Sequence, residues 1–260
     1  MTVNRMLRGW ACAAAVAFLA GSAAWGEEPA SPLDLIYNEE AIERVLAESH
    51  PDIGFLVRLK MMRAHFAASQ LGWSHAAYAV AAEHVAHPRS EISGDLASAL
   101  SERGLPDIAS AFTAVEAAVK SGDAAAVDQA MKKVLDAIAE AEASLGTERL
   151  NDPELLAEVA STLLRTAVVE YHEAFEYSKI SNLIEYQDGF FFVSEARQII
   201  EQLAPALNTR DPAAHRKMTQ ALADLSAAWP EAVPPESSVL PVTAMQALVT
   251  IIELQLNKLR

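Results

Sequence analysis

Residues 152–177 read DPELLAEVASTLLRTAVVEYHEAFEY, and this stretch predicts a long amphipathic helix. Asp152 is a favoured residue type before a helix, and Pro153 suits the first turn. Apolar side chains then recur every three or four residues on one helical face, at Leu155, Leu156, Val159, Leu163 and Leu164. The same spacing recurs along the chain, whereas the alternation of apolar and polar residues that indicates strands does not. We therefore predict an all-α fold.

Glycine, proline, asparagine and serine residues interrupt this spacing and mark the ends of successive helices. The predicted helices span residues 38–49, 52–71, 75–87, 89–103, 107–120, 123–145, 153–178, 183–204, 211–229 and 241–259. Because the connections are short, neighbouring helices should pack antiparallel. We expect an antiparallel bundle of nine or ten helices with no sheet. The proline-rich stretch from Trp229 to Pro241 is predicted to be a linker without regular structure.

The amino-acid composition limits the classes of protein to which this chain can belong. Hydrophobic residues make up 52% of the 260 residues, which is enough for a packed core and excludes a disordered chain. The chain carries 35 acidic and 20 basic residues, so its formal net charge is −15. This balance excludes a surface that neutralises nucleic-acid phosphates and disfavours contact with anionic membranes. A protein of this charge attracts cations.

The N-terminal segment, residues 1–26, has the pattern of a secretory signal peptide. Arg5 and Arg8 precede an apolar, alanine-rich stretch that ends at Trp25, and small residues follow the pattern of a cleavage site. A retained membrane anchor is the alternative, but the stretch is shorter than the ~20 residues that a membrane span needs. We therefore expect a periplasmic protein. Its remaining residues form one helical domain, 27–260, or two bundles, 27–150 and 151–260.

Three histidines form the first candidate site. His84 and His87 are one helical turn apart, a spacing at which two imidazoles on one face can share a metal ion. If the chain reverses around Gly72–His75, with Ser74 capping the next helix, antiparallel packing places His65 level with His84. One unbroken helix would instead separate His65 from His84 by about 28 Å, and no shared site would exist.

Two further residues can support these histidines. Met62 lies one turn before His65 and should fall opposite His87. Pro88 should end the helix at His87 and begin another, whose first turn would carry Glu91 towards His87 as a ligand or as an acceptor that fixes the ring. The alternative without a metal is a set of partly buried histidines that are hydrogen-bonded to carboxylates and backbone.

Acidic residues and one histidine form a second candidate site at a helical hairpin. A reversal near Ile180 would group Glu170, His172 and Glu173 with Glu185 or Asp188, and such oxygen-rich sites suit iron or another hard cation. In the structural alternative, Glu185 completes a capping box with Asn182 and the other acids are a solvated face. Whether both sets form one site stays open at this stage.

Sequence motifs of common enzyme classes are missing. The chain has no glycine-rich phosphate loop, no Gly-x-Ser-x-Gly elbow and no His-Glu-x-x-His motif. Its only cysteine, Cys12, lies within the predicted signal peptide, so the mature chain would offer no thiol ligand or nucleophile. We therefore do not predict an enzyme.

Two motifs in these regions resemble bacterial protein families. Met-x-x-His followed by His-x-x-His-Pro-x-x-Glu resembles a family of secreted helical proteins, and it is matched here by Met62, His65, His84, His87, Pro88 and Glu91. A second motif resembles the extracytoplasmic helical region of high-affinity iron permeases, and it is matched by Tyr171, Ala174, Ile180, Glu185, Tyr186, Phe190 and Ala196. The chain departs from these patterns at Ala64 and at residues 176–179, where glycine is usual. The resemblance implies a role in periplasmic metal handling, with iron as the metal.

Together, these patterns predict a periplasmic protein that binds a transition metal ion and delivers or buffers it for uptake through a membrane transporter. The metal ligands would be His65, His84 and His87, supported by Met62 and Glu91, with Glu185, His172 and Glu173 as further ligands. Iron, copper and zinc all suit such a thiol-free set. The first alternative is a metal-free helical adaptor that docks a periplasmic or membrane partner. A weaker one is a metal-dependent enzyme with an open coordination site.

Overall fold

The computed structural model describes residues 37–91 and 93–259, and eleven α-helices lie in this part of the chain. They are α1 (Glu39–Glu48), α2 (Pro51–Ser74), α3 (Tyr78–Glu91), α4 (Ser93–Glu102), α5 (Ala109–Ser121), α6 (Ala124–Ala143), α7 (Gly146–Leu150), α8 (Pro153–Ala174), α9 (Leu183–Arg210), α10 (Pro212–Ser226) and α11 (Val242–Leu256). A 3₁₀ turn, Asn257–Leu259, follows α11. The predicted all-α class is confirmed. The predicted signal peptide, residues 1–26, lies outside the described residues.

A two-stranded ribbon separates α8 from α9, although no sheet was predicted. Phe175–Glu176 (β1) pairs antiparallel with Lys179–Ile180 (β2). Tyr177 and Ser178 form the turn with φ angles of 49° and 62°, which lie in the left-handed region. Because that region is incompatible with a right-handed helix, α8 ends at Ala174 and does not continue to residue 178 as predicted.

Two prolines lie inside helices, and one of them, Pro88, was expected to end its helix. Pro88 lies within α3, which continues to Glu91, and Pro205 lies within α9, which continues to Arg210. A proline inside a helix costs about 3 kcal/mol. Pro88 is buried, and its packing in the interior offsets that cost. The predicted helix ends at His87 and residue 204 were therefore wrong.

The core consists of two hydrophobic clusters that share α2. Leu56 and Val57 of α2 pack with α1 and with α8 to α11, whereas Phe55 and Leu59 of α2 pack with α3 to α6. The helices α8 to α11 pack against one another as a four-helix bundle. Because α2 runs between this bundle and α3, it can present side chains to both. None of the helices in residues 37–91 and 93–259 is long and apolar enough to cross a membrane.

Asp52 joins three helices at the start of α2. Its Oδ1 accepts from the Arg103 Nη2 at 2.8 Å, and its Oδ2 accepts from the Arg149 Nε at 2.9 Å. Burial by itself raises the pKa of Asp52, but the hydrogen bonds from Arg149 and Arg103 outweigh that effect, so the pKa lies below its ordinary value of 3.8. The ionised carboxylate therefore stabilises the fold above that pH.

We expect Asp52→Asn to lower the free energy of unfolding at pH 7 by roughly 1–2 kcal/mol, since two charge-assisted hydrogen bonds at a partly exposed site are weakened. The free energies of unfolding of the variant and the wild type should converge as the pH falls below about 3.8, because Asp52 of the folded wild type, whose pKa is lowered, is then progressively protonated. Urea unfolding between pH 7 and pH 3 measures it. Asp136→Asn, which removes an exposed partner of Lys132, is the control. A difference that does not change with pH would contradict the role of the ionised carboxylate.

Candidate metal centre

His65 of α2 and His84 of α3 meet across the antiparallel pair of helices. Both side chains are buried, and their ring centroids are 6.5 Å apart. The helices approach closely at Gly72, where a Cβ atom would lie only 3.0 Å from the backbone nitrogen of Ala81. The predicted proximity of His65 and His84 is confirmed.

The reversal itself lies slightly later than predicted. α2 continues through Ser74, and the chain turns at His75–Ala77, where Ala76 has a φ of 57°. The hydroxyl of Ser74 donates to the carbonyl of Leu71, within α2. The prediction that Ser74 caps the next helix was therefore wrong, but a shift of about two residues leaves His65 and His84 facing each other.

Asp188 of α9 lies among the three histidines of the first candidate site. Its Oδ1 is 2.9 Å from the Nδ1 of His65 and 3.0 Å from the Nδ1 of His84. Its Oδ2 is 3.3 Å from the Nδ1 of His87. Asp188 is fully buried. Sequence reasoning offered Asp188 only as an alternative to Glu185 and did not connect it to these histidines, because about one hundred residues separate them.

Gln187 determines which nitrogen of His84 carries a proton. The amide nitrogen of Gln187 donates to the carbonyl of Ala232 at 3.1 Å, which leaves its Oε1 as an acceptor for the Nε2 of His84 at 2.8 Å. In a neutral imidazole, the other nitrogen then carries a lone pair. The Nδ1 of His84 and the Oδ1 of Asp188 are therefore two acceptors 3.0 Å apart. A cation between them, or a second proton on His84, makes this contact favourable.

Four buried atoms at this site lack a hydrogen bond within the described part of the chain: both ring nitrogens of His65, the Nδ1 of His84 and the Oδ1 of Asp188. The two Nδ1–Oδ1 separations are short, yet these atoms make no hydrogen bond with one another. Unsatisfied buried polar atoms are rare and call for an explanation. Metal–ligand bonds of about 2.1 Å at the right angles of octahedral coordination place two donors about 3 Å apart. The two Nδ1–Oδ1 distances match that spacing.

Asp188 is a buried anion. Burial raises its pKa, but the attraction of His65 and the contacts with His65, His84 and His87 lower that pKa well below the ordinary value of 3.8. A buried carboxylate of this kind needs a compensating positive charge. A bound cation or a protonated imidazole supplies it.

His87 connects Asp188 to Glu185 near the surface. The Nε2 of His87 is 3.7 Å from the Oε1 of Glu185, and both side chains are partly exposed.

Asn182 caps α9 as predicted, by accepting from the backbone nitrogen of Ile184. Its own backbone N–H, however, donates to the carbonyl of Ala174, and only its side-chain amide reaches Glu185. The predicted reciprocal capping box is therefore wrong.

The outer acids form a further group. Carboxylate oxygens of Glu170, Glu173 and Glu185 lie within 4.8 Å of one another. Burial and the nearby charges of Glu39 and Glu185 raise the pKa of Glu173. His172 is exposed and belongs to none of the groups of potential ligands found in residues 37–91 and 93–259. Thus Glu173 joins Glu185 as predicted, whereas His172 does not join Asp188.

The remaining predicted ligands are not part of this geometry. Met62 is buried in the hydrophobic cluster that α2 forms with α3 to α6, and its role as a ligand stays a prediction. Glu91 is the last residue of α3, so it does not lie in the first turn of a new helix as predicted. Its side chain lies outside the part of the chain that the structure describes.

A glycine and a tryptophan position Asp188. A Cβ atom at Gly189 would lie 2.9 Å from the ring of Trp229 and 3.1 Å from the carbonyl oxygen of Ala167. α9 therefore packs against α8 and Trp229 more closely than any other residue would allow. This approach fixes the depth at which Asp188 enters the interior.

The segment after Trp229 supports the same region. Residues 229–241 contain no helix, as predicted, but the segment is anchored along its length. The carbonyl of Glu231 accepts from the hydroxyl of Tyr186, and the hydroxyl of Tyr171 accepts from the backbone nitrogen of Val239. Because Ala232 also accepts from Gln187, this segment helps to orient His84.

Comparison with protein families finds a match for the second part of the chain. Residues 146–260 match the iron permease-associated 4-helix bundle domain. The match confirms the resemblance to the extracytoplasmic region of iron permeases and places this part of the chain, which contains α8 to α11, in the context of iron uptake. In comparisons with curated proteins and with solved structures, nothing matches significantly.

The candidate site spans the boundary of the matched domain. Asp188, Glu185 and Gln187 lie within residues 146–260, whereas the three histidines come from α2 and α3, before the matched residues. The site therefore depends on contact between the matched part of the chain, residues 146–260, and the helices that precede it.

We expect Gly189→Ala to lower the free energy of unfolding by roughly 1–3 kcal/mol, because the added methyl group overlaps Trp229 and Ala167. Gly54→Ala is a matched control, since a Cβ atom there would be close only to the flexible end of Arg58 and would meet the carbonyl oxygen of Leu46 at an ordinary contact distance of 4.0 Å. Alanine is also the better helix former. Denaturant unfolding measures both variants. Equal stabilities for Gly189→Ala and wild type would contradict the tight packing beside Asp188.

Proposed function

We propose that this protein binds a transition metal ion in the periplasm and delivers it to, or holds it for, an iron permease in the membrane. The ion would be held by the Nδ1 atoms of His65 and His84 and by the Oδ1 of Asp188. The protein is not proposed to be an enzyme, since the donor set is explained by binding alone.

One observation carries the proposal, namely the contact between His84 and Asp188. Gln187 assigns the proton to the far nitrogen of His84, so a lone pair on Nδ1 faces a carboxylate oxygen at 3.0 Å. Neither atom has a hydrogen-bond partner in the described residues. A metal ion uses both lone pairs and neutralises the buried charge. The hydrogen bond to Gln187 also orients the ring, as outer partners of metal-bound histidines do.

The donor set favours iron within the family context. Two imidazoles and one carboxylate are the ligands of many non-haem Fe(II) sites, although copper binds most sites of this kind more tightly. The nearby carboxylates of Glu185 and Glu173 are hard donors, which also suit iron. The match of residues 146–260 to an iron permease-associated domain supports iron as the cargo and a membrane transporter as the partner. The signal-peptide pattern of residues 1–26 supports a periplasmic location.

A metal-free adaptor is the competing proposal, and one surface favours it. Ile251 and Leu254 of α11 are exposed, and they lie about one turn apart. Such residues can contact a partner protein. In that case a second proton on His84 would balance the charge of Asp188, and no metal would be required.

We expect saturating Fe²⁺, added without oxygen, to stabilise the folded protein by about 2.7 kcal/mol at a hundredfold excess over Kd. His84→Ala should remove this increment, because it deletes one ligand and leaves Gln187 unpaired. His84→Gln, which keeps an amide to pair with Gln187, tests the same ligand if the alanine variant does not fold. Thermal unfolding with and without metal measures the increment.

His215→Ala is the control for these variants, because His215 lies on α10 and belongs to none of the ligand groups in the described chain. It should retain the full metal-dependent increment. If neither Fe²⁺, Zn²⁺ nor Cu²⁺ stabilises the wild-type protein, the adaptor proposal replaces metal binding. A full increment in a folded His84 variant would place the ion elsewhere.

A further inference from the structure

Asp188 presents its two oxygens to two different sets of side chains. Its Oδ1 lies against the Nδ1 atoms of His65 and His84, at 2.9 and 3.0 Å. Its Oδ2 lies against the Nδ1 of His87, at 3.3 Å. The two oxygens of one carboxylate therefore point towards separate groups of donors.

The second set offers three potential ligand atoms of its own. His87, Glu185 and Asp188 each offer a ligand atom, and these atoms lie within 4.8 Å of one another. The set combines an imidazole with two carboxylates, whereas the inner set combines two imidazoles with one carboxylate. Only 1% of the Asp188 side chain is exposed, but 25% of His87 and 13% of Glu185 are. The second set thus lies between the buried set and the surface.

We propose that the site holds two metal ions that Asp188 bridges, an inner ion with His65 and His84 and an outer ion with His87 and Glu185. This proposal rests on the metal-binding function proposed above and specifies its stoichiometry. Bridged metal ions in proteins lie about 3.5–4 Å apart. Two cations at that distance repel each other, and the carboxylates of Asp188 and Glu185, with Glu170 and Glu173 beside Glu185, offset that repulsion.

The two metal positions should differ in how tightly they bind an ion and in how fast they release it. The inner ion would be enclosed and held by two imidazoles, so it should bind more tightly and leave more slowly. The outer ion would lie at partly exposed ligands next to further carboxylates, so it should bind more weakly and exchange first. A protein that passes metal to a transporter would release the outer ion and keep the inner one.

A titration of the wild-type protein with Cu²⁺, followed by electron paramagnetic resonance and by calorimetry, tests the proposal. We expect the first equivalent to give an isolated-ion spectrum. The second should bind more weakly and convert it to a dipolar-coupled spectrum, because two ions bridged by one carboxylate would lie only about 3.5–4 Å apart. Glu185→Gln keeps the shape and an acceptor for Asn182, so it should retain the first equivalent and lose the coupled second one. Glu140→Gln, an exposed position on α6, is the matched control and should bind as wild type does.

Each other outcome overturns a specific part of the account. One equivalent in wild type would overturn the second position and leave the metal-binding function standing. Two uncoupled equivalents, or a coupled pair that survives in Glu185→Gln, would place the second ion outside the His87 and Glu185 set. No bound equivalent at all would overturn both proposals.

Discussion

The rest of the site depends on a buried contact between two acceptors, the Nδ1 of His84 and the Oδ1 of Asp188, at 3.0 Å. The only N–H group of a neutral His84 donates to the Oε1 of Gln187, so the contact between Nδ1 and Oδ1 is repulsive unless positive charge lies there. Several features fix these atoms in place: the close approach at Gly72, the packing of Gly189 against Trp229, and the anchored segment after Trp229. The fold thus holds a carboxylate where only a cation or a proton stabilises it.

The position of the site relates the two parts of the molecule. The histidines belong to α2 and α3, and the carboxylates lie within residues 146–260, which match the iron permease-associated 4-helix bundle domain. α2 packs into both hydrophobic clusters and therefore holds the two parts together in a fixed arrangement. A metal ion at this boundary would strengthen the contact between them, and loss of the ion would weaken it. With an ion bound there, α2 and α3 would supply histidine ligands from outside the matched residues 146–260.

Helical spacing was sufficient to predict the fold class and most helices, because each apolar face is a local pattern. It also predicted that His65 and His84 meet, since only a short turn separates α2 from α3. It did not connect Asp188 to these histidines, because that contact depends on how α9 packs on α2 across the interior. Proline was overvalued as a helix end at Pro88, where packing in the interior offsets the lost hydrogen bond. Asn182 and Glu185 matched a capping box in sequence, yet the ribbon of residues 175–180 brings Ala174 to the Asn182 backbone instead.

The most direct test of the account is an anomalous diffraction measurement at the iron absorption edge, on crystals grown with Fe²⁺ in the absence of oxygen. We expect a peak within bonding distance, about 2.0–2.3 Å, of the Nδ1 atoms of His65 and His84 and of the Oδ1 of Asp188. A map without a peak among these three residues, or with the iron bound only at surface carboxylates, would contradict the claim that this buried cluster is a metal site.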